Sequence, residues 1–181
     1  MKRASVILAI LALVSLGGAS QALGDTTWTA GGGAGSTLFS NASNWDSTPI
    51  FSGTNNFIFA TSGTVATWGA AATVGNITFN ADSDFALNRV AGTLTVAGSI
   101  TVSSTNAHTY SILGTTAWPA SLTTTISGGS SLELSGLPRD PAGTLIVLNV
   151  AGSGVLRPRS SGYDPYIHGI NIGAGASVQA Q

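Results

Sequence analysis

The chain has 181 residues, with six Lys and Arg against seven Asp and Glu, and no Cys. Only 7% of the residues are charged and the formal net charge is −1, so the basic footprint required for nucleic acid or for an anionic membrane surface is missing. Without thiols, burial and backbone hydrogen bonds must hold any fold, and disulfide or Cys-based zinc frameworks are excluded.

Residues 1–22 read as a secretory signal peptide. Lys2 and Arg3 give the positive start, residues 6–16 are almost wholly apolar, and Ser20-Gln21-Ala22 supplies the small residues of a cleavage site. The apolar run is shorter than the ~20 residues that span a bilayer, and no later stretch is long enough. The expected mature chain, 23–181, is therefore exported as one domain without a transmembrane helix. Past Ala22, four Arg face seven acids, and Ser and Thr together supply 42 residues. Val, Ile, Leu and Phe are spread throughout, the opposite of a disordered composition, so a folded chain with polar, uncharged outer faces is expected.

Helix signals are nearly absent after the leader. Segments 56–59, 73–79, 93–96, 99–102, 122–126, 131–134, 144–150, 167–172 and 177–178 set apolar residues against small polar ones, as half-buried strands do. Glycines punctuate the chain every ~6–16 residues. Two all-β architectures fit, a parallel β-helix or solenoid and a β-sandwich. The segments are short and the hairpin pairs Asn-Gly and Asp-Gly never occur, which favours the solenoid. Coils of ~20–25 residues would give about six or seven. Residues 26–46, with Gly31-Gly32-Gly33, Trp28 and Trp45, fit an N-terminal cap. Residues 136–166, rich in Pro and holding Arg139, Arg157 and Arg159, read as a protruding loop. Residues 173–181 read as an unfinished coil, whose free backbone groups invite self-association.

Thr27-Trp28-Thr29-Ala30-Gly31-Gly32-Gly33 and Ser40-Asn41-Ala42-Ser43-Asn44-Trp45-Asp46 form the most distinctive text. This block resembles the opening of bacterial proteins carrying the autotransporter-associated β-strand repeat, and Gly75-Asn76-Ile77-Thr78-Phe79 and Ala91-Gly92-Thr93-Leu94-Thr95-Val96 resemble strands of that family. The resemblance covers residues 26–102 and implies a right-handed parallel β-helix of the passenger type. It also implies export to the outer surface of a bacterium with an outer membrane. The ~10-residue alternating segments of a membrane barrel do not occur, so self-transport is not carried over.

Candidate chemistry is sparse. Asp82-Ser83-Asp84 has the spacing of a calcium-loop start, but the 6–8 oxygens such a loop needs are not supplied nearby, and a solvated turn fits. His108 and His168 lack a nucleophile elbow or a zinc ligand set. Trp28 and Trp45 are read as closing the apolar end of the solenoid, with sugar stacking by Trp28, Trp45, Trp68 and Trp118 as the alternative. Arg139, Arg157, Arg159 and Tyr163 form the one group suited to touching an acidic ligand. The expectation is a non-catalytic, adhesin-like surface protein without cofactor or metal, meeting an extracellular polysaccharide or a surface protein. A carbohydrate-binding module and a polysaccharide-degrading β-helix enzyme are the rival readings.

Overall fold

The computed structural model describes residues 24–32, 37–61, 65–135, 146–159 and 167–179. The proposed leader lies outside them, and among them no helix is long and apolar enough to cross a membrane. In chain order the strands begin with β1 (Asp25–Trp28), β2 (Asn56–Phe59), β3 (Val65–Trp68), β4 (Ala72–Val74) and β5 (Ile77–Phe79). There follow β6 (Phe85–Arg89), β7 (Leu94–Val96), β8 (Ile100–Val102), β9 (Thr109–Leu113), β10 (Thr116–Ala117) and β11 (Ser121–Ile126). Last come β12 (Ser131–Ser135), β13 (Ile146–Gly152), β14 (Val155–Arg159), β15 (Ile167–Ile172) and β16 (Ser177–Val178).

Every named strand pairs in parallel with the strand one coil away. Phe57 lies opposite Ile77, Ile77 opposite Ile100, and Ile100 opposite Thr124, so these coils return after 20 to 24 residues. Parallel pairing at that interval makes a β-solenoid and rules out the hairpin-linked sandwich. One face is a seven-stranded sheet, β1-β2-β5-β8-β11-β13-β15, and a second is six-stranded, β16-β14-β12-β9-β6-β3. The third face has only β10-β7-β4, so only the middle coils carry all three.

Alternation decides what lies inside. Phe57, Phe59, Ile77, Phe79, Ile100 and Val102 point inward from the first face, and Leu87, Tyr110, Ile112, Leu132 and Leu156 from the second. All are buried and form one continuous core. Aromatic rings stack along the axis, with Phe59 to Phe79 at 5.4 Å and Phe79 to Tyr110 at 5.4 Å. Outside, polar ladders reinforce the register. Asn56 Nδ2 donates to Asp25 Oδ1 (2.8 Å) and Asn76 Nδ2 to Asn56 Oδ1 (2.7 Å). The Ser99 backbone N–H then donates to Asn76 Oδ1 (2.7 Å), so one row of side chains ties four coils.

Two expectations change. The segment 73–79 splits into β4 and β5, because the chain turns a corner at Gly75, where a Cβ would stand 2.8 Å from the Asn55 carbonyl oxygen. Of the expected loop 136–166, residues 146–159 are strands of the body, and 136–145 and 160–166 lie outside the described residues. Pro158 conceals β14 in the sequence, since proline cannot donate to a ladder. The carbonyls of Gly154 and Leu156 accept from β16 and its flank. Backbone groups alternate sides along a strand, so Pro158 shares their side, beyond the two residues that β16 pairs, where no donor is needed.

Phe79 packs between Phe59, Phe85 and Tyr110. Truncating it to Ala is expected to cost about 3–5 kcal/mol, read as a lowered urea midpoint. Gly152 has φ +95° and approaches Ile126 so closely that a Cβ would stand 2.1 Å from its carbonyl oxygen. Gly152→Ala is expected to cost roughly 1–3 kcal/mol in the same assay, although it adds only one methyl group.

Candidate functional site

The Trp block forms the aromatic end of the solenoid. The segment after β1 doubles back over the first coil, and the three residues Asn44-Trp45-Asp46 fasten it. Asn44 is fully buried; its Nδ2 donates to the Leu38 carbonyl (2.9 Å) and its Oδ1 accepts from the Gly32 N–H (2.9 Å). A Cβ on Gly32 would stand 2.4 Å from that Oδ1, so the glycine run admits the clip. Trp45 Nε1 donates to the Phe39 carbonyl (2.8 Å), and its ring meets Trp28 edge-on at 5.1 Å. Asp46 Oδ1 accepts from the Thr27 N–H (2.9 Å), which lowers its carboxyl pKa.

Trp28 and Trp45 are therefore core residues and offer no face to a sugar. Trp68 and Trp118 are buried as well. A platform of exposed tryptophans is absent among the described residues.

The polar side chains gather elsewhere, on the outer surface of the six-stranded face. The corner before β6 supplies Asp82 and Asp84, and the corner before β9 supplies Asn106 and His108. Asn106 Nδ2 donates to Asp82 Oδ1 (2.7 Å), and His108 Nε2 stands 3.0 Å from the same oxygen. Asp84 Oδ1 accepts from the Thr109 N–H (2.8 Å) and lies 3.7 Å from His108 Nδ1. One coil on, Ser131 Oγ donates to Thr109 Oγ1 (3.2 Å), and from β14 Arg157 donates to Ser131 Oγ (3.4 Å). Glu133 on β12 then meets both arginines, at 4.0 Å from Arg157 and 3.0 Å from Arg159. The strip runs from Asp82 to Arg159 and holds five of the eight described Asp, Glu and Arg residues.

Within the strip the arginines are half-exposed, whereas the Glu133 side chain is only 10% exposed. The carboxylate thus anchors both guanidiniums, at 4.0 Å and 3.0 Å. Arg157 and Arg159 come together as the sequence suggested, on a strand and not on a loop. Arg139 and Tyr163 lie outside the described residues. His108 and the two acids are brought together although sequence reading treated them apart; register places Asp84 and Thr109 on adjoining coils, which a linear scan does not reveal.

Chemically the strip is a row of donors and acceptors. The His108 ring faces two carboxylates, while Ser130 Oγ accepts from the His108 backbone N–H and does not approach the ring nitrogens as a nucleophile would. Among the described residues no group of three or more His, Asp or Glu is arranged to hold a metal ion. No family model, curated protein or solved structure matches the chain.

The Asp82 carboxyl is held below its ordinary value of 3.8, chiefly by the Asn106 hydrogen bond and then by His108. A lowered folded-state pKa contributes stability that is complete above the unfolded value near 4 and is lost as pH falls through the lowered one. Asn106→Ala is expected to raise the Asp82 pKa toward 3.8 in an NMR titration of the carboxyl carbon.

Proposed function

We propose that this chain is an exported, non-catalytic surface protein of the autotransporter-passenger kind, adhesin-like, which meets an extracellular polysaccharide or a surface protein through the polar strip. One observation supports this reading above the others: in an almost uncharged chain, five of the eight described Asp, Glu and Arg residues gather in one strip of the scaffold. A register-locked row of carboxylates, hydroxyls and guanidiniums presents fixed donors and acceptors, the chemistry that recognises hydroxyl-rich ligands. Forked guanidiniums add geometry suited to a carboxylate or sulfate on such a ligand. The uncharged Ser, Thr and Asn ladders on the remaining surface favour solubility of a β-rod outside the cell without competing for the same partner. The leader-like residues 1–22 and the Trp block that resembles the autotransporter-associated repeat are consistent with export to the outer surface.

Glycan-array binding of the purified chain tests the reading. Arg157→Ala with Arg159→Ala is expected to weaken binding by about tenfold, the loss of one to two kcal/mol that charge-assisted hydrogen bonds supply. Binding unchanged in this variant would remove the strip from consideration, and release of shortened glycans during incubation would overturn the non-catalytic assignment. Mass spectrometry of secreted material is expected to find a chain beginning at or near Leu23.

A further inference from the structure

The two ends of the solenoid are built differently. At the aromatic end, the outer edge of β1 is already occupied. Thr29 N–H donates to the Asn44 carbonyl (2.7 Å), Asp46 N–H donates to the Thr27 carbonyl (3.0 Å), and Trp28 and Trp45 form an antiparallel bridge. At the other end, β15 is the last strand of its sheet, and among the described residues nothing pairs with its outer edge.

That open edge continues the interior pattern. Ile170 stacks in register on Leu148, and Ile172 on Val150. Leu148 and Val150 are 1% and 2% exposed, while Ile170 and Ile172, at the same inward positions, are 42% and 53% exposed. Open edges are ordinarily guarded by charged side chains. Residues 167–179 contain no Asp, Glu, Lys or Arg, so two such ends meet without like-charge repulsion.

We infer that two copies of this chain join end to end, β15 against β15, antiparallel about a two-fold axis through Asn171. The hydrogen-bond pattern limits the register to those that oppose outward-facing residues, and of these only the one centred on Asn171 sets both isoleucines opposite isoleucine. Gly173 N–H donates to the Val150 carbonyl, so the backbone groups of residues 171 and 173 face β13, and those of 170 and 172 face outward. Centring the pair on Asn171 sets Ile170 opposite the second copy's Ile172, where both outward N–H and C=O groups are exchanged. A two-fold axis along the face normal keeps inward side chains inward, so four isoleucines close one shared core. Asn171, which already donates to Asn149 Oδ1 (2.8 Å), meets its own copy and carries the outer ladder across the junction. Because the outer edge of β1 is already occupied, the seven-stranded sheet offers no second edge for head-to-tail growth. Association through a self-complementary patch therefore closes at two copies and does not run on into a fibre.

Sedimentation and light scattering on the whole chain are expected to show a concentration-dependent monomer–dimer equilibrium. Ile170→Lys with Ile172→Lys is expected to give monomer with an unchanged far-ultraviolet spectrum, since both positions are exposed in the single chain. A second arm does not depend on that variant folding. The chain has no cysteine, and Asn171→Cys places two thiols at a non-hydrogen-bonded antiparallel pair, where the Cα atoms lie ~4.5 Å apart, within disulfide reach. Mild oxidation is expected to cross-link this variant rapidly, and Thr123→Cys, exposed at mid-solenoid, only slowly. A wild-type monomer at every concentration, equal cross-linking of the two variants, or species that lengthen beyond the dimer would each overturn the inference.

Discussion

Each coil hydrogen-bonds through its backbone to the coil before it and the coil after it, and this sharing constrains the rest of the molecule. A parallel ladder aligns like positions, so whatever occupies one inward site must tolerate a near neighbour on the same column. Phe57, Ile77 and Ile100 satisfy that condition by being apolar. Asp25, Asn56, Asn76 and Ser99 satisfy it outside by donating and accepting in turn. A column of like charges would repel at every step. The low charge of the chain is thus a requirement of stacking, met at a single exception where Glu133 lies beside Arg157 and near Arg159.

Much of this architecture is legible in the sequence. Strands such as Leu94–Val96 and Ile100–Val102 announce themselves because apolar residues, mostly β-branched, alternate there with Thr. Others do not. Phe85–Arg89 hides behind Ala and Asn, residues that disfavour strands on their own and are accepted here because neighbouring coils satisfy the backbone. Val155–Arg159 hides behind its proline, and only the side on which its neighbours accept hydrogen bonds explains why the proline is harmless.

The site was less legible than the fold. The sequence names Arg157 and Arg159 but not their anchor, because Glu133 is separated from them by a whole coil. His108 and Asp84 likewise belong to different coils. The distinctive Trp block reads as a cap in the sequence and is one in the structure, but the sequence does not show how it is fastened, each residue of Asn44-Trp45-Asp46 holding a different part of the returning segment. In a solenoid, then, interior identity is written locally, while surface chemistry is written at the coil period and must be read by stacking segments 20 to 26 residues apart.

The clip at Asn44 also sets a gradient along the axis. A stack with nearest-neighbour coupling loses order from whichever terminus is held least. Aromatic edge contacts and buried side-chain bonds pin the first coil, whereas Val178 is only partly buried against the core and β16 contributes two residues. In the single chain, amide protons should therefore exchange fastest around residues 167–179 and progressively more slowly toward β2, so that heat or protease frays an unpaired copy from one direction and the aromatic end is the last to melt.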